Sequence, residues 1–247
     1  MDTNFYKTYF EAEKSHWWFK VRRDLVFDLL QKYKITKTAK IFDFGCGSGY
    51  TVGYLQKLGY DVSGSDVSAE AIEFGLSMGV QNLSVAHEGE ITHSEEGFDL
   101  ILALDVIEHI QDDSGAIRAT ERALKQGGMA IITVPAYQWL WGVQDEVAHH
   151  YRRYTAGSLT CILNKNANLQ ILRETYFNTF LFIPIAIVRV LSKWFNLKER
   201  QSDFDINNKF TNGLFFFIFN LERKILKHIN FCFGVSILVI VRKNENQ

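Results

Sequence analysis

The run Ile41-Phe42-Asp43-Phe44-Gly45-Cys46-Gly47-Ser48-Gly49 constrains this chain more than any other stretch. It reads as a buried strand that breaks into a glycine-rich turn and then enters a helix. Three glycines at alternate positions strip side chains from a loop, so backbone can touch a ligand directly. A second strand, Tyr60 to Ser65, ends in Asp66. A carboxylate at that tip can accept two hydroxyl hydrogen bonds and so suits a ribose diol. Glycine turn and acid together predict an adenosine-containing cofactor.

The turn argues against a dinucleotide. That fingerprint is G-x-G-x-x-G, and its third glycine would fall on Tyr50 or Val52, depending on the register. A phosphate-cradling G-x-x-x-x-G-K-[ST] is also absent. Further along, apolar runs alternate with helical patterns. Strands are predicted at 40–44, 60–65, 83–86, 98–103, 129–134, from 169 and over 235–241. Helices are predicted at 4–34, 50–58, 68–78 and 112–125, the last ended by Gly127-Gly128. This alternation predicts a doubly wound parallel sheet whose ligands sit at the carboxyl ends of its strands.

Composition narrows the class. The chain has 247 residues and a formal net charge of −1, so no global basic field recommends nucleic acid. Cys46, Cys161 and Cys232 are far apart and form no C-x-x-C pair, which fits a reducing compartment and argues against a zinc site or disulfide framework. The start of the chain carries no signal-peptide pattern, and a cytoplasmic location is expected.

The D-x-G-x-G-x-G spacing resembles motif I of the class I S-adenosylmethionine-dependent methyltransferases. Gly97-Phe98-Asp99-Leu100-Ile101, Asp105-Val106-Ile107-Glu108-His109, and Leu124-Lys125-Gln126-Gly127-Gly128 resemble that family's later blocks in their usual order. His16-Trp17-Trp18-Phe19 and His150-Tyr151-Arg152-Arg153-Tyr154 extend the likeness to bacterial methyltransferases of cell-envelope glycan or lipid-linked glycan pathways. The resemblance implies a Rossmann-like, mostly parallel seven-stranded sheet. It also implies S-adenosyl-L-methionine as cofactor and a small-molecule, glycan or lipid-linked acceptor, with oxygen as the expected nucleophile. It places Asp43, Gly45, Cys46, Gly47 and Gly49 around the methionyl group, Asp66 on the ribose, and Val67 and Glu90 by the adenine. Leu104 and Asp105 fall beside the sulfonium, and Arg23, or Arg22, on the cofactor carboxylate.

The acceptor side is expected over Asp145 to Tyr154. His150 is the leading candidate for a base, with His149 and Asp145 behind it. Tyr151, Arg152 and Arg153 are candidates for holding the acceptor, the two arginines as an anion clamp. A metal held by Asp145, His149 and His150 lacks a reliable spacing, and no metal site is expected. The predicted organisation is an N-terminal helical cap over 1–36, the cofactor domain over 37–176 and 234–247, and an insertion over 177–233. That insertion holds 13 of the 35 aromatic residues and eight Lys/Arg against four Asp/Glu. Three readings of it remain open: a cap or homodimer interface, a greasy acceptor pocket, or attachment to the inner face of a membrane. In the last, Lys193, Lys198, Arg223, Lys224 and Lys227 would meet headgroups.

Overall fold

Short apolar runs, too short for helices, become the middle of a sheet. The computed structural model describes residues 10–92, 97–194 and 208–245. Within them seven strands, β1 (Lys40–Phe44), β2 (Asp61–Asp66), β3 (Leu83–Val85), β4 (Phe98–Leu104), β5 (Leu124–Pro135), β6 (Leu169–Phe177) and β7 (Ser236–Lys243), form one sheet in the order β3-β2-β1-β4-β5-β7-β6. The pairs from β3 through β5 are parallel, and β7 runs antiparallel between β5 and β6. The predicted Rossmann-like sheet is therefore present, and its one reversed strand is the last.

Both faces are covered, which is why the central strands read as unbroken hydrophobic runs. Side chains alternate across the sheet. Phe42, Ile101, Ile132 and Val239 point into one core, and Ile41, Leu100, Ile131 and Ile240 into the other. Helices α1 (Trp17–Lys32), α2 (Tyr50–Lys57), α3 (Ala69–Ser77), α4 (Asp113–Ala123), α5 (Val143–Val147), α6 (Ala156–Asn166), α7 (Phe182–Trp194) and α8 (Lys209–Leu226) accompany the sheet. Helix α3 starts where expected, since the Ser68 hydroxyl accepts from Ala71 N–H.

Two local expectations are corrected. The helix predicted over 4–34 is broken within its described part, and residues 4–9 lie outside the described residues. His16 stands in extended conformation between a helical segment ending at Ser15 and α1, and its Nδ1 accepts from Trp18 N–H at 3.2 Å. Asn212 of α8 spans the break, accepting from Trp17 N–H and donating to the Ser15 carbonyl. Nor do Gly127 and Gly128 end α4. The helix stops at Ala123, and Leu124 already pairs with Phe98. A Cβ on Gly128 would lie 2.9 Å from the Phe98 and Lys125 carbonyl oxygens, so glycine there lets the strand entrance close up.

The aromatic pair near the start of the chain is packing. Trp18 lies near-parallel to Phe177 and Phe219, at 5.6 and 5.4 Å between ring centres. Asp28 of α1 holds Arg223 and Lys227 at 2.6 and 2.9 Å. Helix α8 is thereby bolted to α1 by aromatic stacking and charge. Its opposite side carries exposed Phe210, Leu214, Phe217 and Leu221, spaced four, three and four residues apart. Helix α7 likewise exposes Ile183, Ile187, Leu191 and Trp194. Among the described residues no helix is long and apolar enough to cross a membrane.

Candidate active site

The glycine loop follows β1, and Gly45, Gly47 and Gly49 all take positive φ, at 69°, 56° and 72°. Their surroundings differ. A Cβ on Gly45 would lie 2.5 Å from Val106, and one on Gly49 would lie 2.8 Å from Leu83. One on Gly47 would meet nothing within 4 Å. The outer two glycines are packed against the fold, while the middle one opens onto free space. Asp66 ends β2 as expected, with Oδ2 accepting from Gly47 N–H at 2.8 Å and Oδ1 from Ser68 N–H at 2.9 Å. A carboxylate has about four lone-pair directions, so capacity for a ribose diol remains. Val67 beside it and Glu90 beyond β3 are both exposed.

Asp43, under the loop, is 3% exposed, and among the described residues no hydrogen bond to its carboxylate is formed. Burial raises it from the ordinary carboxylate range to about 7, with Arg22 opposing and Glu13 and Asp66 adding to the effect. Cys46 is buried in the same wall. At the end of β4, Leu104 is buried and Asp105 takes a φ of 57°, an uncommon conformation outside glycine. Arg22 reaches from α1 to form a charge-assisted bond to Asp105 Oδ2. Arg23 points elsewhere, because neighbouring helical residues diverge by about 100°. Its guanidinium lies 4.9 Å from the ring centres of both Tyr50 and Tyr54, and Nη1 donates to the Glu13 carbonyl at 3.1 Å.

The loop after β5 assembles the second half of the site. Asp145 is fully buried and accepts four bonds: from Arg153 Nε at 2.7 Å, Arg153 Nη2 at 2.9 Å, Gly142 N–H at 2.8 Å and His150 Nδ1 at 2.9 Å. Burial works against its charge. The bonds from His150 and Arg153, with the Arg153 charge, outweigh burial and hold the carboxyl well below its usual range. An ionised carboxylate only accepts, so Nδ1 of His150 is the donor in this bond. The His109 ring packs edge-on against His150, with centres 4.4 Å apart. Burial and the neighbouring His150 lower His109 to about 4, so it is neutral at physiological pH. Glu108 is fully buried, and neither carboxyl oxygen has a hydrogen-bond partner among the described residues. Burial, then Asp105, push it well above the usual carboxylate range. One ligand atom from each of Glu108, His109 and His150 lies within 4.8 Å of the others, so among the described residues these three, and not Asp145 with both 149 and 150, form a group that could hold a cation.

The structure reassigns several acceptor-side residues. Arg153 has a side chain only 7% exposed, committed to Asp145 and to the Ala136 carbonyl, so it braces the loop. Arg152 bonds Asp113 and the Gln111 carbonyl. Both guanidinium groups expected to form an anion clamp are thus engaged with the fold, Arg153 almost fully buried and Arg152 with its side chain still 30% exposed. Asp145 is sealed from solvent and orients His150. His149 takes a φ of 56° and its residue is exposed, outside the Glu108–His109–His150 group. Tyr151 is exposed at the rim, with its N–H donated to the Glu108 carbonyl. Sequence reasoning placed neither Glu13 nor Glu108 in the site, and both are revealed by burial of a carboxyl group. For Glu108 the D-V-I-E-H block held the signal; for Glu13 only its place three residues before His16 did.

Residues 17–174 match the family described as Methyltransferase domain. The chain belongs to the S-adenosylmethionine-dependent methyltransferases. This methyltransferase is 28% identical over 186 residues to a protein of Bartonella quintana (strain Toulouse) named Ubiquinone biosynthesis O-methyltransferase, covering 68% of the chain and 70% of that relative. Its likeness to the protein of the same name from Bartonella tribocorum is 32% over 186 residues, with the same coverage. It spans 63% of the length of similarly named Xanthomonas oryzae relatives. In structure it resembles a chain of the complex between the Haloferax volcanii Trm112 methyltransferase activator and the putative methyltransferase, with a TM-score of 0.60 at 15% identity, covering 96% of this chain and 93% of that one. That likeness shows the fold. S-adenosylmethionine fits what the methyltransferase offers: space over Gly47, spare acceptor capacity on Asp66, and the buried Asp43 carboxylate.

Proposed function

We propose that this methyltransferase transfers the methyl group of S-adenosylmethionine to a hydroxyl oxygen of a small-molecule or lipid-linked acceptor, with His150 as the general base. The observation that carries the reading is the His150–Asp145 pair, whose geometry leaves Nε2 free to take a proton beside the end of β4. The relatives' name, with its O-methyltransferase, supports oxygen as the nucleophile. S-adenosylmethionine supplies an already activated methyl group, so most of the rate enhancement comes from positioning. Asp43 and the glycine loop hold the methionyl part, Asp66 the ribose, Val67 and Glu90 the adenine, and Leu104 and Asp105 flank the reacting centre. Tyr151 lines the acceptor rim. The test is turnover with pH. His150→Ala lowers kcat by about 10²–10⁴ with S-adenosylhomocysteine affinity unchanged; full turnover by that variant overturns the base assignment.

A second reading follows from Glu108. Its two partnerless oxygens and the nearby His109 and His150 would accept a divalent cation, which would then bind the acceptor oxygen and lower its pKa in place of a base. Turnover abolished by a chelator and restored by Mg²⁺ or Zn²⁺ favours this reading; turnover indifferent to chelation favours His150 as base. For the segment 177–233 we favour surface attachment, supported by the exposed apolar stripe that each of α7 and α8 carries. Of the five expected headgroup contacts, Arg223 and Lys227 are paired with Asp28, and Lys198 and the Lys193 side chain lie outside the described residues. Insertion of apolar side chains, more than charge, would therefore drive attachment.

A further inference from the structure

We propose that Glu13 binds the α-ammonium group of the methionyl part of S-adenosylmethionine, facing Asp43 across it, so that the N-terminal segment selects adenosine ligands bearing an amino acid. The inference rests on the cofactor reading above. Glu13 belongs to the helical segment that precedes His16, remote in sequence from the glycine loop, yet the fold lays it on that loop. Its Oε2 accepts from the Ser48 hydroxyl at 3.0 Å, and the residue is 7% exposed. Its carbonyl is fixed by Arg23, and three residues earlier Phe10 packs edge-on against Tyr50 and Phe74, at 5.0 and 5.4 Å. The segment is thus clamped across the start of α2.

The charge balance points to a cation. Glu13 lies close enough to the other two carboxylates for charge to act between them, since Glu13 raises Asp43 and is itself raised by Asp66. The arginines supply incomplete compensation, because Arg22 bonds Asp105 while Arg23 lies over two tyrosine rings. Clustered buried carboxylates are costly without a positive partner, and both stay partly protonated near neutral pH until one arrives. The methionyl group brings an ammonium with three donors. A merely structural Glu13, holding Ser48 and nothing else, would affect every adenosine ligand alike through the shape of the loop.

Calorimetric titration separates the two. The unaltered protein and Glu13→Gln, which keeps the size and an acceptor for Ser48, are each titrated with S-adenosylhomocysteine and with 5′-methylthioadenosine, which lacks the amino-acid moiety. Loss of one charged hydrogen bond predicts that Glu13→Gln weakens S-adenosylhomocysteine about tenfold or more and 5′-methylthioadenosine by less than about twofold. Equal weakening of both ligands, or none of either, overturns the assignment. Failure of the unaltered protein to bind S-adenosylhomocysteine overturns the cofactor reading itself and the assignment with it.

Discussion

Replacing Arg153 by methionine tests whether the acceptor loop is braced from within. The guanidinium donates two bonds to Asp145 and one to the Ala136 carbonyl, and the side chains of the pair are 7% and 0% exposed. Methionine fills much of the volume but leaves Asp145 with only Gly142 N–H and His150 as partners. An uncompensated buried charge of this kind costs about 3–5 kcal/mol. For a chain of this size that is a fall in melting temperature of about 6–20 °C. The Asp145 carboxyl is depressed in the folded state, so its contribution is fully present above the unfolded carboxylate pKa and is lost as pH falls toward its folded value. The variant is therefore compared with the parent near neutrality, by guanidinium unfolding with the m-value checked and by a thermal scan. Lys125→Met is the control, since its pair with Asp99 is 42% and 37% exposed and contributes about 1 kcal/mol or less. Arg153→Met should also lower kcat while leaving S-adenosylhomocysteine affinity intact, because His150 loses its fixed partner and the glycine loop is untouched. Loss of stability no greater than that of the Lys125 control would refute the brace.

Three further outcomes are expected. Gly45→Ala should destabilise by about 2–4 kcal/mol, from positive φ and collision with Val106, whereas Gly47→Ala should cost about 1–2 kcal/mol yet weaken S-adenosylhomocysteine at least about tenfold; denaturation and calorimetry on both variants check this contrast. Glu13 and Asp43, both raised to about 7 by burial, hold protons in the folded protein that the unfolded chain releases, so ligand-free stability falls as pH rises from about 4 toward 7. A bound ammonium lowers both, so S-adenosylhomocysteine binding at about pH 6.5 releases protons, seen as a binding enthalpy that differs between Tris and phosphate and converges at about pH 8; identical enthalpies in both buffers at the lower pH would contradict this. Replacing Phe210, Leu214, Phe217 and Leu221 with serine should leave melting unchanged and abolish co-flotation with liposomes, whereas undiminished flotation would remove α8 from the attachment surface.

What could be read along the chain was what the chain encodes locally. The strand, the three glycines and Asp66 lie within 27 residues, and their spacing points to a cofactor turn. Both-face burial made β4 and β7 readable as continuous apolar runs. The break at His16 was hidden because the apolar periodicity of α1 continues through it, while the stop comes from a histidine ring accepting a backbone N–H and from Asn212, almost 200 residues away. That the arginines at 152 and 153 already hold partners in the fold was not legible, because residue type cannot show a partner. Only the fold brings Asp113 to one and Asp145, already holding His150, to the other. Glu108 and His150 lie 42 positions apart and meet because the ends of adjacent strands β4 and β5 deliver their loops to the same edge.

The most direct measurement of the central claim is transfer of labelled methyl from S-adenosylmethionine into fractionated cell extract, run with the unaltered protein and with His150→Ala. The account predicts label in an organic-extractable pool as a methyl ether, nearly absent with the variant although S-adenosylhomocysteine still binds it. Label attached to nitrogen or carbon, or no transfer by a protein that binds S-adenosylhomocysteine, would contradict it.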